Sequence, residues 1–232
     1  MDRIVQSPTG NPLLFFLFIL IPLLVIMVVI NLIGVSFAKL GLPSSLAFFL
    51  LYGSLFGSFI NIPVTEVETE GDVLRYEPSG KFGWFFPRPV VEHRTLTTTI
   101  AVNVGGAIVP VLVSLYLLLR VPSAIPFVAV GTVICVAVCH RFAQPIPGMG
   151  IGMPLFVAPL TSALVAVGLS LVFPGAVRTV IAYTSGVLGV LIGADLLNLD
   201  KIKRLGAPTA SIGGAGTFDG IFLTGILAVL LV

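Results

Sequence analysis

Two aspartates are placed where they could do chemistry. Asp195 falls in "VLIGADLLNLD", late in one apolar run, and Asp219 falls in "GGAGTFDGIF", early in the last one. A carboxylate within a run of membrane length costs roughly 2.5–3.5 kcal/mol on insertion scales, so its default meaning is functional. Two carboxyls at one depth are the raw material of acid/base hydrolysis. Like charges a few ångströms apart cannot both ionise easily, so such a pair shares a proton. The ionised member then acts as general base on a water, and the protonated one polarises a carbonyl. Gly214 and Gly216 would let a substrate backbone come close to Asp219, and Asn198, one turn past Asp195, could orient that acid. Structural roles compete with these. Asp219 could cap the final helix, where an acid gains from the helix dipole. Asp195 could be an interfacial residue paired with Lys201 or Lys203.

Other reactive types are less suggestive. Cys135 and Cys139 stand four apart, followed by His140, but no second cluster supplies further metal ligands. They read as core thiols, with His140 and Arg141 marking the end of a span. The chain lacks H-E-x-x-H, no lysine follows the glycines at 213–216, and "GLS" at 168–170 has no partner histidine near it. No metal and no cofactor are expected. With neither a basic arm nor a basic amphipathic run, no nucleic acid partner is expected either.

The elements that must position the aspartates follow from composition. Of 232 residues, 57% are apolar and 9% charged, against roughly a quarter charged in soluble domains. Seven apolar runs lie near residues 13–35, 43–62, 100–119, 123–140, 154–173, 178–198 and 212–232. The first is too long for a signal-peptide core and reads as a retained span. Irregular backbone cannot face lipid, so the expected fold is all-α, one polytopic membrane domain over residues 1–232 with about seven transmembrane helices. Small residues at Gly53 and Gly57, Gly105 and Gly106, and Gly186, Gly189 and Gly193 suit close helix approach. With seven spans, nine of the twelve Lys and Arg residues fall on one side, and only Lys39, Arg120 and Arg178 on the other. That asymmetry places the N-terminus in the cytoplasm and Val232 outside. Spans three and four are divided only by "RVPS".

Two connections stand out. The cytoplasmic loop at 63–99 alternates polar and apolar residues around a Pro-Ser-Gly turn, and reads either as a short β-hairpin or as a solvated acidic loop. "TLTTTIAVNV" could be a strand or the lead-in to span three, where Asn103 satisfies backbone groups. The stretch "HRFAQPIPGMGIGMP" holds too much proline and glycine for a regular helix, and either lines a cavity or makes a tight connection. Spans six and seven form a helical hairpin. At about 1.5 Å per residue, Asp219 lies roughly 10 Å and Asp195 roughly 5 Å below the cytoplasmic edge of a core about 30 Å thick. Asp200 should stand in water.

The runs "SIGGAGTFDGIFLTGILAVLL", "VCHRFAQPIPGMGIGMP" and "GADLLNLD" resemble an uncharacterised family of prokaryotic polytopic membrane proteins. That resemblance spans nearly the whole chain and implies a prokaryotic cytoplasmic membrane but no activity. The last two spans also resemble, remotely, the catalytic hairpin of the GxGD-type intramembrane aspartyl proteases, the presenilin, signal-peptide-peptidase and prepilin-peptidase group. Gly214-Ala215-Gly216 supplies the G-x-G, with Thr217 and Phe218 interposed before Asp219; Ala194-Asp195 stands where presenilins have Tyr-Asp. Ala158-Pro159-Leu160 is loosely similar to the presenilin Pro-Ala-Leu element but precedes the aspartates.

The resemblance implies a diaspartyl protease with Asp195 and Asp219 as its dyad and a transmembrane-helix substrate reached through membrane lipid. A transporter or ion-binding protein with Asp219 at a midplane site is the alternative of a different class. A non-catalytic scaffold, with both aspartates structural, is the third. The sequence does not set the oligomeric state.

Overall fold

A computed structural model describes residues 12–77, 88–146, 150–175, 177–202, 208–214 and 220–232. Helices α1 (Pro12–Lys39) and α2 (Ser44–Gly57) come first, joined by a turn in which Gly41 has a φ of 72°. Strands β1 (Asn61–Glu77) and β2 (Arg88–Asn103) pair antiparallel along their length, with a register shift between Pro63 and Thr65. The hairpin is therefore long rather than short. Its strands are rich in Val and Thr, whose branched side chains suit a pleated surface.

Asn103 ends β2 and starts the next helix. Its Oδ1 accepts the Gly106 N–H at 2.7 Å, capping a π turn (Val104–Ile108) that runs on into α3 (Val109–Arg120). A 3₁₀ turn (Pro122–Ala124) then leads into α4 (Ile125–Phe142), so "RVPS" does divide two helices. The proline- and glycine-rich stretch forms a small antiparallel hairpin, β3 (Gln144–Ile146) with β4 (Gly150–Gly152). Helix α5 (Val157–Val172), helix α6 (Arg178–Val190), the short α7 (Leu199–Ile202), strand β5 (Thr209–Ile212) and helix α8 (Gly220–Leu230) complete the order.

The all-α expectation needs correcting in one respect: the chain is mostly helical but carries a three-stranded sheet in the order β1-β2-β5. Strand β5 lies parallel to β2, from Thr99 opposite Thr209 to Val102 opposite Ile212. Three apolar runs are accordingly shorter as helices than expected. The second runs out into β1, the third begins within β2, and the seventh begins at the end of β5. Among the described residues, three helical stretches are long and apolar enough to cross a membrane: Leu13–Lys39, Pro122–Phe142 and Arg178–Lys201. Ser44–Gly57, Val104–Arg120, Val157–Val172 and Gly220–Leu230 are apolar but shorter.

Helix α6 is the hub, with α3, α4, α5 and α8 packed around it and every residue from Val180 to Val187 buried. Its glycines allow this. A methyl group on Gly186 would press on Ser162 and Thr224, one on Gly189 on Cys135, and one on Gly193 on the Val136 carbonyl. Gly57 and Gly105 meet across α2 and the π turn in the same way, whereas Gly53 faces open space and makes no such contact. Helix α1 is different: it touches the bundle near its C-terminal end, where Ile33, Ser36, Phe37 and Leu40 are buried.

Side-chain contacts define the two ends of the bundle. At one end, Lys39 Nζ donates to the Val229 and Leu230 carbonyls (3.3 and 3.4 Å), and Arg120 donates to the Gly41 carbonyl at 3.1 Å. There too Phe127, at the start of α4, packs against Phe173 beyond α5, with ring centroids 5.3 Å apart. The sheet and the break that follows α6 lie at the other end.

Candidate functional site

Helix α6 does not end cleanly. Past Val190 it widens into a π turn (Leu191–Asp195), tightens into a 3₁₀ turn (Leu196–Asn198) and only then resumes as α7. Single π turns are rare and often accompany functional sites, because they shift the register of every later side chain. Here a second cause is local. The Asn198 amide donates to the carbonyls of Gly193 (3.0 Å) and Ala194 (2.9 Å), both within the π turn. Asn198 is itself only 1% exposed.

Asp195 closes the π turn and is half-buried. Its Oδ2 accepts the backbone N–H of Gly213 at 3.1 Å. Gly213 and Gly214 both take positive φ values, 84° and 82°, which only glycine adopts readily. Gly214 N–H returns to the Ser211 carbonyl at 3.2 Å, closing the turn after β5. The lack of a side chain at Gly213 is needed for a second reason: a methyl group there would lie 2.6 Å from the Ala107 Cβ. The turn is thus wedged between the π turn before α3 and the carboxylate on the break after α6.

A polar junction fixes the sheet beside this turn. Asn61 Oδ1 accepts both the Asn103 amide (3.0 Å) and the Ser211 hydroxyl (2.6 Å), and Asn103 also donates to the Ser58 carbonyl at 2.7 Å. Four elements meet there: the end of α2, the start of β1, the end of β2 and β5. Across the break, Asn198 Nδ2 lies 3.3 Å from His140 Nδ1 at the end of α4.

Of the residues expected at the site, Asp195, Asn198 and Gly214 fall in this region. Gly216 and Asp219 lie outside the described residues. What comes together is therefore Asp195 with the first glycine of the stretch that leads to Asp219. Asn198 directs its donors at the Gly193 and Ala194 carbonyls, with His140 Nδ1 beside them. Asp200 is exposed. Among the described residues no group of three or more His, Cys, Asp or Glu could hold a metal ion. The sequence reading did not find the roles of His140, Asn61 and Ser211. Their only local signal was a polar side chain beside an element boundary, and each partner is far away in the chain.

No curated protein and no solved structure matches the chain. Residues 55–231, well over half of its length, match the family described as protein of unknown function (DUF1614), and the chain belongs to that family.

Proposed function

We propose that this protein is a bilayer-spanning diaspartyl endopeptidase, with Asp195 and Asp219 as its acid/base pair. The observation that carries the reading is the hydrogen bond from Gly213 to Asp195. It ties the acid on the break after α6 to the small-residue stretch that runs on to Asp219, as a dyad built across a helical hairpin requires. The two left-handed glycines leave that stretch without side chains on its first two residues, and Gly214 and Gly216 would flank the peptide to be cut. The ionised carboxyl would take a proton from water as it attacks the scissile carbonyl, while the protonated one donates to the developing oxyanion.

The same proposal sets the bundle across a prokaryotic cytoplasmic membrane as about seven spans, with the N-terminus and the sheet on the cytoplasmic side. Support comes from Lys39, Arg120 and Arg178, which lie at the end away from the sheet and bond to a carbonyl or hydroxyl there. The substrate would be a transmembrane helix that unwinds in the cytoplasmic half of the bilayer. The outer edge of β1 could then receive its extended backbone.

The test is cleavage of fluorogenic transmembrane peptides by the reconstituted chain. Asp195→Asn and Asp219→Asn should each lower the rate by about 10²–10⁴, the contribution of a positioned acid or base. Full activity in either variant ends the reading.

A transporter is the second reading. It is favoured by Tyr183 Oη and Thr184 Oγ1, which are buried on the central helix with no hydrogen-bond partner among the described residues. Proteoliposome uptake that is lost in Asp219→Asn but kept in Asp195→Asn would select it. If both variants only lower thermal stability, with neither cleavage nor uptake to lose, the scaffold reading stands.

A further inference from the structure

Helices α1 and α2 leave a groove between them that no part of the described chain fills. It holds about 190 Å³, with one wall running from Ile30 to Ala38 on α1 and the other from Ser44 to Leu51 on α2. Among the residues that line it, only Ser44 has a polar side chain. A methyl group on Gly34 would meet no atom within 4 Å, so the α1 wall stands open at that point. From Ile30 to Ala38 this wall is about 12 Å long at roughly 1.5 Å per residue. That is close to the roughly 15 Å of hydrocarbon in one leaflet of a bilayer.

The mouth of the groove has a different character. At the end away from the sheet a second hollow adjoins the first and shares Ala38 and Leu42 with it, and Tyr116 and Arg120 of α3 line its far side. Arg120 is held in place there. Its Nη1 donates to the Gly41 carbonyl at 3.1 Å, and its guanidinium carbon lies 5.9 Å from the centre of the Tyr116 ring. A guanidinium has more N–H donors than that one bond uses, so others stay available to an acceptor in the hollow. Among the described residues no acidic side chain lies at this end. The Asp and Glu residues are on β1, on β2 and on the segment from Asp195 to Asp200.

We propose that the groove seats one anionic phospholipid, with an acyl chain between α1 and α2 and the phosphate on Arg120. Charge complementarity selects this occupant. The planar fork of an arginine matches phosphate oxygens, and no carboxylate stands by to compete for it or to hold a cationic head group. The apolar groove, one leaflet deep, would be wasted on a free anion. A helix of a second copy, about 10 Å across, is too wide for a space of about 190 Å³. The proposal rests on the membrane setting and is independent of the protease reading.

The probe is phosphatidylglycerol with a photoreactive diazirine in one acyl chain, added to the full-length protein in phosphatidylcholine nanodiscs. After illumination, mass spectrometry of the peptides should place most of the label between residues 30 and 51, rather than on the equally exposed first half of α1. Arg120→Gln should weaken that labelling about tenfold, the effect of losing a hydrogen bond to a charged group. Gly34→Leu fills the groove and should abolish it. Gly53→Leu makes the same change where α2 faces open space outside the groove, and should leave it intact. The wild-type pattern is a readout that needs no variant to fold. Even labelling along α1, equal labelling by a phosphatidylcholine probe, or labelling that survives Gly34→Leu would overturn the proposal. Displacement of the probe by inorganic phosphate would also overturn it, in favour of a free-anion site. A chain that does not enter nanodiscs at all would overturn it together with the membrane setting.

Discussion

Helix α1 and the helical stretch Arg178–Lys201 that begins with α6 are both long and apolar enough to cross a bilayer, yet they treat their side chains in opposite ways. None of the most apolar window of α1 is buried, against 67% of that of the Arg178–Lys201 stretch. The exposed helix is nearly all Leu, Ile, Val and Phe; the buried one includes Thr, Tyr, Ser and three glycines by Gly193. In water the order would be reversed, because burying large apolar side chains is the main drive to fold. In lipid those side chains gain nothing by leaving hydrocarbon, and small or hydroxylated residues win the interior because they let backbones approach. The contrast supports the proposed membrane setting more directly than composition does, since it says which residues were chosen for which surroundings.

That comparison can be broken at either helix. The largest expected effect is on α1. Leu24→Lys, at a half-exposed position near its middle, should make membrane insertion less favourable by about 2.5–3.5 kcal/mol. A translocon insertion assay reads this directly, and no change would mean that lipid does not cover α1. Next comes the interior. Gly189→Val drives a branched side chain into Cys135 and should lower stability by about 1–3 kcal/mol, read as a lower melting temperature in detergent. The smallest effect has the opposite sign. Gly34 on α1 has open space around it, so Gly34→Ala should raise stability by up to about 1 kcal/mol through helix propensity alone. A loss there would reveal an unseen partner packed on that face.

The sequence was most legible where a signal was local. The apolar runs located the helices, "RVPS" marked a true division, and Asn103 could be read as a cap from its place before Val104. The glycines of α6 could be read as contact points. The boundaries were harder, because an apolar β-branched run such as "TIAVNV" looks the same whether it enters a helix or ends a strand. Strand β5 was invisible for a different reason: "TASI" is four residues long, and its partner lies elsewhere in the chain. The candidate site shows the same limit. Asp195 was found because an acid is rare in an apolar run, whereas its bond to Gly213 and the pairing of His140 with Asn198 span 18 and 58 residues and leave no local trace.

The parallel pairing of β5 on β2 also sets an order of events during synthesis. Thr99 waits for Thr209, which is 110 residues later in the chain. At ribosomal speeds of roughly 5–20 residues per second, that stretch of β2 edge stays open for about 5–20 s. Open edges invite pairing with the wrong strand. During that interval the β2 edge has no third strand, and Asn61 and Asn103 cannot be joined by Ser211 until β5 has been made. The sheet begun by the hairpin is thus completed only by a strand made 110 residues later.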